Sequence, residues 1–168
     1  MKFLIIRFSS IGDIVLTSPV VRCLKKQVPG ADIHYLTKKS FSSILAFNPY
    51  IDQIHFLEDD MEELLYQLKQ EKFDFIIDLH NNLRTIRVKR ALKVKSFTFE
   101  KLNVQKWLMT NLKWNLLPNM HIVDRYLETV SHFGVVNDGA GLDYFIPADQ
   151  ALVHTKLPEI FNQGYVGI

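Results

Sequence analysis

The chain has 168 residues, 48% of them hydrophobic and 23% charged, with a formal net charge of +2. That is enough for one domain with a full-sized core, and so mild a charge singles out no partner class; no nucleic-acid partner is expected. Cys23 is the lone cysteine, which excludes a disulfide framework and a cysteine-based zinc site, and no stretch approaches the roughly 18 apolar residues of a membrane span.

KFLIIRF (2–8) reads as a first strand, apolar enough to be covered on both faces. Its apolar run is too short for a signal peptide and is interrupted by Arg7, Ser9, Ser10 and Asp13. A helix is predicted from Gly12 to about Gln27, ended by Pro29-Gly30 and carrying Cys23 as a packing residue. DIHYLTK (32–38) is a second strand, SFSSILAF (40–47) a short helix and QIHFLE (53–58) a third strand. The next helix runs from Asp59 to Lys72, with Asp59, Asp60, Glu62 and Glu63 where the helix dipole favours negative charge.

FDFIIDLH (73–80) is the clearest strand, followed by a helix at 83–93 and a fifth strand, VKSFTFE (94–100). Further helices are predicted at 103–116 and 121–133, then a short apolar piece, DYFIP (143–147), within a long irregular connection from Val136 to Gln163. Strands separated by single helices imply an α/β fold: a Rossmann-like, doubly wound parallel sheet with right-handed crossovers. GYVGI (164–168) looks like the opening of another buried strand. The expected division is therefore a domain over 1–163 and the start of a second at 164–168, the chain being part of a longer protein.

In an open parallel sheet, ligands bind beyond the carboxyl ends of the strands. Ser9 to Asp13 occupies that position after the first strand. Ser9 and Ser10 offer hydroxyls, Gly12 permits a tight turn or close approach by a ligand, and Asp13 stands at the rim at the start of a helix. On these residues alone, Asp13 is either a helix cap or a catalytic acid. Neither the P-loop pattern nor the dinucleotide pattern G-x-G-x-x-G is present.

Asp78 and His80 end the fourth strand at the same rim, where His80 either meets substrate or satisfies a buried hydrogen bond. Arg84, Arg87, Lys89, Arg90, Lys93 and Lys95 follow with no acid among them. Arg84 and Arg87, nearest the strand end, suit an anionic ligand, and the rest read as solvated surface. In KLNVQKWLMTNLKWNLLP (101–118), Val104, Leu108, Leu112 and Leu116 form a stripe that should bury; Trp107 and Trp114 read as packing residues or as contacts with a membrane surface. His121 and Arg125 share a helix face and either line a site or brace the sheet edge. The six histidines show no spacing with acids or cysteine that reads as a metal site, so none is expected.

The run IIRFSSIGDIVLTSPVVRCLK resembles the N-terminal signature of the family nine glycosyltransferases, the lipopolysaccharide heptosyltransferases. FDFIIDLHNNLRT (73–85) and HIVDRYLETVSHFGV (121–135) resemble two further pieces of that family, in its order and spacing. The resemblance implies the N-terminal, acceptor-binding half of a two-domain GT-B enzyme, with GYVGI opening the C-terminal donor-binding domain. It implies an inverting, metal-independent transfer of heptose from ADP-heptose to the inner core of bacterial lipopolysaccharide, with no cofactor beyond the sugar-nucleotide donor.

The same resemblance makes Asp13 the general base. Ser9, Ser10, Gly12, His80, Asn81, Arg84, Arg87, His121 and Arg125 become candidate contacts to a lipid-linked anionic glycan acceptor. The DLHNNLRT segment departs from family members that have a glycine-rich loop there. The implied location is the cytoplasm, with peripheral contact at the inner face of the cytoplasmic membrane. Without the donor domain, this chain alone is expected to be inactive. Two other readings stay open from the residues: a Rossmann-like nucleotide- or phosphate-binding domain of another enzyme class, and a non-enzymatic module that meets an anionic surface through its basic helix.

Overall fold

The computed structural model describes residues 1–58, 60–100 and 120–147. The predicted helix at 103–116, its two tryptophans, and GYVGI lie outside the described residues.

Five strands, β1 (Lys2–Ile6), β2 (Asp32–Lys38), β3 (Gln53–Leu57), β4 (Phe75–Asp78) and β5 (Lys95–Thr98), form one sheet in the order β3-β2-β1-β4-β5. All four pairings are parallel, with Ile6 beside both Leu36 and Asp78. The chain winds outward from β1 in one direction through β2 and β3, then in the other through β4 and β5. The predicted doubly wound α/β fold is the one observed. The direction of winding reverses between β1 and β4, which opens a crevice at their carboxyl ends.

The apolar run of β1 is explained by burial on both faces. Phe3 and Ile5 join Ile33, Tyr35 and Ile77 on one side, and Leu4 and Ile6 join Leu36 and Ile76 on the other. The first side is covered by α2 (Ser18–Gln27) through Val20, Val21 and Leu24, and by α6 (Ile122–Leu127) through Val123 and Tyr126. The second is covered by α4 (Met61–Gln70) through Leu64, Leu65 and Leu68, and by Val88 of α5 (Leu83–Leu92). A four-residue helix, α3 (Ser42–Leu45), precedes β3.

The single helix expected over 12–27 is two: α1 (Ile11–Val15) and then α2. Pro19 sits in the first turn of α2. It has no N–H to give the Val15 carbonyl and its ring crowds that carbonyl, so a continuous helix cannot pass through it. The Thr17 hydroxyl closes the junction, donating to the Ile14 carbonyl at 2.7 Å and lying 2.8 Å from the Tyr35 hydroxyl.

The helix expected over 121–133 is α6 followed by a tighter 3-10 segment, Glu128–Phe133, which ends on Gly134 at φ 74°. Residues 136–147 have no regular structure, as expected, but they are tied down. The buried guanidinium of Arg22 takes both carboxylate oxygens of Asp138 at 2.7 and 2.8 Å, the Gly141 carbonyl at 2.9 Å, and Asp143. The segment therefore crosses α2 as a strap.

Candidate active site

β1 delivers Arg7 and Phe8, both buried, to the crevice between the carboxyl ends of β1 and β4. Arg7 is a charge placed in an otherwise apolar run, and the fold uses every nitrogen of its fork. Nη1 donates to the Leu79 carbonyl at 2.6 Å, Nε donates to the Ser9 carbonyl at 2.8 Å, and Nη2 pairs with Asp13 Oδ2 at 2.6 Å. The guanidinium also lies 5.9 Å from the centre of the buried Tyr126 ring. Arg7 thus ties the end of β1, the loop after β4, α1 and α6 together. Sequence reasoning passed over it as a candidate; the available signal was the isolated cation inside FLIIRF.

Asp13 is the third residue of α1, and its Oδ2 also accepts the Ser10 backbone N–H at 3.2 Å and the Ser10 hydroxyl at 2.9 Å. Its half-exposed carboxylate is a cap in the geometric sense. All of these contacts fall on Oδ2, and none among the described residues is made by Oδ1. Partial burial pushes the pKa up. The Ser10 N–H, the Ser10 hydroxyl and the Arg7 guanidinium together outweigh it, and the carboxyl sits below its ordinary value.

Ser9 contributes its carbonyl to Arg7, and Ser10 holds Asp13. Gly12 has an ordinary helical backbone, and a Cβ built there meets nothing within 4 Å. The turn therefore does not require a glycine, and the space beside it is open to an approaching ligand.

Across the crevice, the fully buried Asp78 organises the loop after β4. Its Oδ1 accepts the N–H groups of His80 at 3.1 Å and Asn81 at 2.8 Å, and its Oδ2 pairs with Lys89 Nζ at 2.8 Å. Lys89, expected at the surface, instead reaches inward to neutralise this carboxylate. The half-buried His80 ring packs against Phe8 with centroids 5.0 Å apart. Asn81 adopts a left-handed backbone at φ 51° and donates its amide to the Phe99 carbonyl at 3.0 Å. Asn82 caps α5, accepting the Thr85 N–H at 3.0 Å. Asparagine tolerates the left-handed turn and supplies the cap, so this loop holds its shape without a glycine.

Arg84 and Arg87 open onto a groove of about 530 Å³ whose other lining residues include Lys38, Lys39, Ser40 and Glu58. It lies on the same edge of the sheet as Asp13, since Lys38 ends β2 and Leu57 ends β3. Arg87 makes a loose exposed contact with Glu62 at 3.3 Å. His121 and Arg125 do not meet in one place. His121 caps α6, with Nδ1 accepting the Val123 N–H at 3.3 Å, and borders a small groove with Pro19 and Asn137. Arg125 lies over the Phe99 ring at 4.7 Å, donates to the Glu100 carbonyl, and lines a cavity of about 480 Å³ beside β5. The fold therefore gathers Ser9, Ser10, Gly12, Asp13, His80 and Asn81 around one crevice, sets Arg84 and Arg87 on a neighbouring groove, and leaves His121 and Arg125 lining two separate cavities. Cys23 is buried, and burial pushes its thiol pKa up, as suits a packing residue.

No helix among the described residues is long and apolar enough to cross a membrane. No protein-family profile matches the chain. It is 28% identical, over 178 aligned positions, to lipopolysaccharide heptosyltransferase 1 of Campylobacter coli, an alignment covering 97% of this chain and 50% of that protein. The fold is shared with a glycosyltransferase family 9 protein of Veillonella parvula, at a TM-score of 0.67 and 20% identity over 88% of this chain and 45% of that one. It is shared equally with a heptosyltransferase of E. coli solved with ADP, at a TM-score of 0.66 and 18% identity over 85% and 50%. The chain spans about half the length of the proteins it matches.

Proposed function

We propose that this chain, a relative of the heptosyltransferases of glycosyltransferase family nine, is the acceptor-binding half of an inverting, metal-independent GT-B enzyme. The proposed reaction moves heptose from ADP-heptose to a hydroxyl of a lipopolysaccharide inner core. Its setting is the cytoplasmic side of the bacterial inner membrane, with peripheral contact there. The observation that carries the reading is Asp13, whose carboxylate is clamped through Oδ2 at the β1–β4 crevice.

An acceptor hydroxyl is a weak nucleophile, and a carboxylate within hydrogen-bond reach takes its proton as the anomeric carbon is attacked. Oδ1 of Asp13 is the oxygen for that role. The departing nucleotide diphosphate needs its own stabilising groups, which the proposal assigns to a partner domain; the 168-residue chain alone should then be inactive. The basic rim of Lys38, Lys39, Arg84 and Arg87 supports an acceptor bearing carboxylates or phosphates, because arginine grips such groups through two parallel hydrogen bonds.

The test compares wild type with Asp13→Asn in the complete transferase, following heptose transfer from ADP-heptose to core acceptors. Turnover should fall by roughly 10²–10⁴-fold, the usual contribution of a general base, with acceptor binding retained. Near wild-type turnover in the Asn variant would reduce Asp13 to its capping role. Tight binding of ADP by the 168-residue chain alone would favour a nucleotide-binding domain of another class.

A further inference from the structure

Far from the crevice, toward the amino ends of the strands, two imidazoles occupy positions that the sheet otherwise fills with aliphatic side chains. His34 of β2 and His55 of β3 face the same side as Leu4, Leu36 and Leu57, and both are buried. Their rings are in contact, His34 Nδ1 to His55 Nε2 at 2.8 Å, and both stand nearly perpendicular to the Phe73 ring. Glu71, in the turn after α4, brings Oε2 to 4.0 Å from His34 Nδ1. One ligand atom from each of the three side chains lies within 4.8 Å of the other two.

We propose that His34, His55 and Glu71 bind a divalent transition-metal ion of the zinc class. Two imidazoles and a carboxylate are a donor set suited to such an ion, with a fourth position left for water. Bonds of about 2.0–2.1 Å in a tetrahedral arrangement place neighbouring donor atoms about 3.3 Å apart. The imidazole nitrogens need only part by about half an ångström, and Glu71 Oε2 needs to close by about 0.7 Å on His34 Nδ1.

The surroundings also fit. Asp32 Oδ1 lies 3.3 Å from His34 Nε2. It is placed to hold the ring proton on that nitrogen, leaving the Nδ1 lone pair directed at His55, as carboxylates do behind metal-bound histidines. Binding then requires His55 to carry its ring proton on Nδ1 rather than Nε2, and no proton is released overall. Burial disfavours the charged form of both imidazoles. Lys2 opposes the ion, holding Glu71 Oε2 at 3.0 Å and Asp32 at 3.4 Å. Two carboxylates against one ammonium leave the cluster with a net negative charge. An ion here would pin the edge strand β3 to β2 and to the end of α4.

The experiment titrates the 168-residue chain with Co²⁺, reading its visible absorption bands, and with Zn²⁺ against a chromophoric chelator. Wild type should bind one ion with the intense bands of a four-coordinate site. Asp32→Asn should weaken Zn²⁺ binding by roughly 10–100-fold, as loss of a carboxylate behind a metal-bound histidine does, and Glu71→Gln and His55→Gln by at least as much. Lys2→Gln should tighten it, an outcome that a loss of folding cannot produce. Glu71 is only half-buried, so its variant keeps the test open if His55→Gln fails to fold. Absence of the four-coordinate bands in wild type, unchanged affinity in Glu71→Gln, or weaker binding in Lys2→Gln would overturn the proposal.

Discussion

Replacing Arg22 by Met should be among the most damaging single changes outside the apolar core. The side chain is only 2% exposed and is held by two carboxylates and a carbonyl from the strap at 138–143. Met keeps the bulk and removes the charge, leaving Asp138 and Asp143 against α2 with no cation. Removing one partner of a buried ion pair costs about 3–5 kcal/mol. Asp138 and Asp143 retain 25% and 19% side-chain exposure and can recover some water, which places the loss near the lower end. For a chain of this size, about 3 kcal/mol lowers Tm by roughly 6–12 °C.

The pH dependence gives the sharper check. The hydrogen bonds from Arg22 hold the Asp138 carboxyl well below its ordinary range. A folded-state pKa below the unfolded one contributes stability that is complete above the unfolded value, near 3.9, and is lost as pH falls toward the folded value. The gap between wild type and Arg22→Met should be full at pH 7 and narrow by about 1 kcal/mol between pH 5 and pH 3. Urea unfolding followed by circular dichroism at a series of pH values measures both numbers. Hydrogen exchange at the Asp143 amide, which donates to Ser18 Oγ at 2.8 Å, should quicken in the variant. A loss below 1 kcal/mol at pH 7, or a gap that does not narrow in acid, would refute the assignment of Arg22 as the anchor of the strap.

Arg7→Met should raise the Asp13 pKa, seen in the carboxyl ¹³C titration, because the burial that favours the neutral acid stays while one opposing cation leaves; an unchanged midpoint would mean that Ser10 alone sets it. Lys89→Met strands the fully buried Asp78 carboxylate and should cost about 3–5 kcal/mol, with most of the loss recovered when Asp78→Asn is added; additive losses in the double variant would show that the two side chains are not coupled. Asp60→Ala removes the acceptor of the Glu62 and Glu63 N–H groups at 2.9 and 3.1 Å and should cost about 1 kcal/mol, the usual worth of a cap, read by thermal melting against wild type.

β1 and β4 were readable as short apolar runs bounded by polar residues, and the positions of β2 match the prediction residue for residue. Helix boundaries were less so. The amphipathic pattern runs from Gly12 through Gln27 without interruption, and only Pro19 marks the break. Longer-range features left weaker signs. Arg22 stands inside PVVRCL, where it looks like the polar edge of a helix, yet its partners lie 116 and 121 residues away. Lys89 belongs to a run of cations that reads as solvated, and nothing local singles out the one that turns inward to Asp78. His34 and His55 are 21 residues apart, and only the pairing of β2 with β3 makes them neighbours.

Asp13 shows why motif reading and local physics gave two answers, since the carboxylate can do both things with different atoms. Oδ2 carries the cap and the Arg7 pair, and both interactions favour the anion. That fixes the side chain at the rim and makes it a weak base while the rim is wet. Burial acts in the opposite direction and is the largest single influence on this group even with the crevice open. A ligand or facing domain that covers the rim strengthens it further. Arg7 cannot follow Asp13 toward that ligand, because its other nitrogens are fixed on the Leu79 and Ser9 carbonyls. Covering the crevice therefore raises basicity on an Oδ1 that is already placed. The Asn variant separates the two roles: it can keep an acceptor for the Ser10 N–H, it removes the charge that Arg7 pairs with, and its capacity to take a proton is gone. If Asp13 is the base, turnover collapses in a variant that still folds; if it is only a cap, the folded variant turns over at a near wild-type rate whatever stability it has lost with the Arg7 pair.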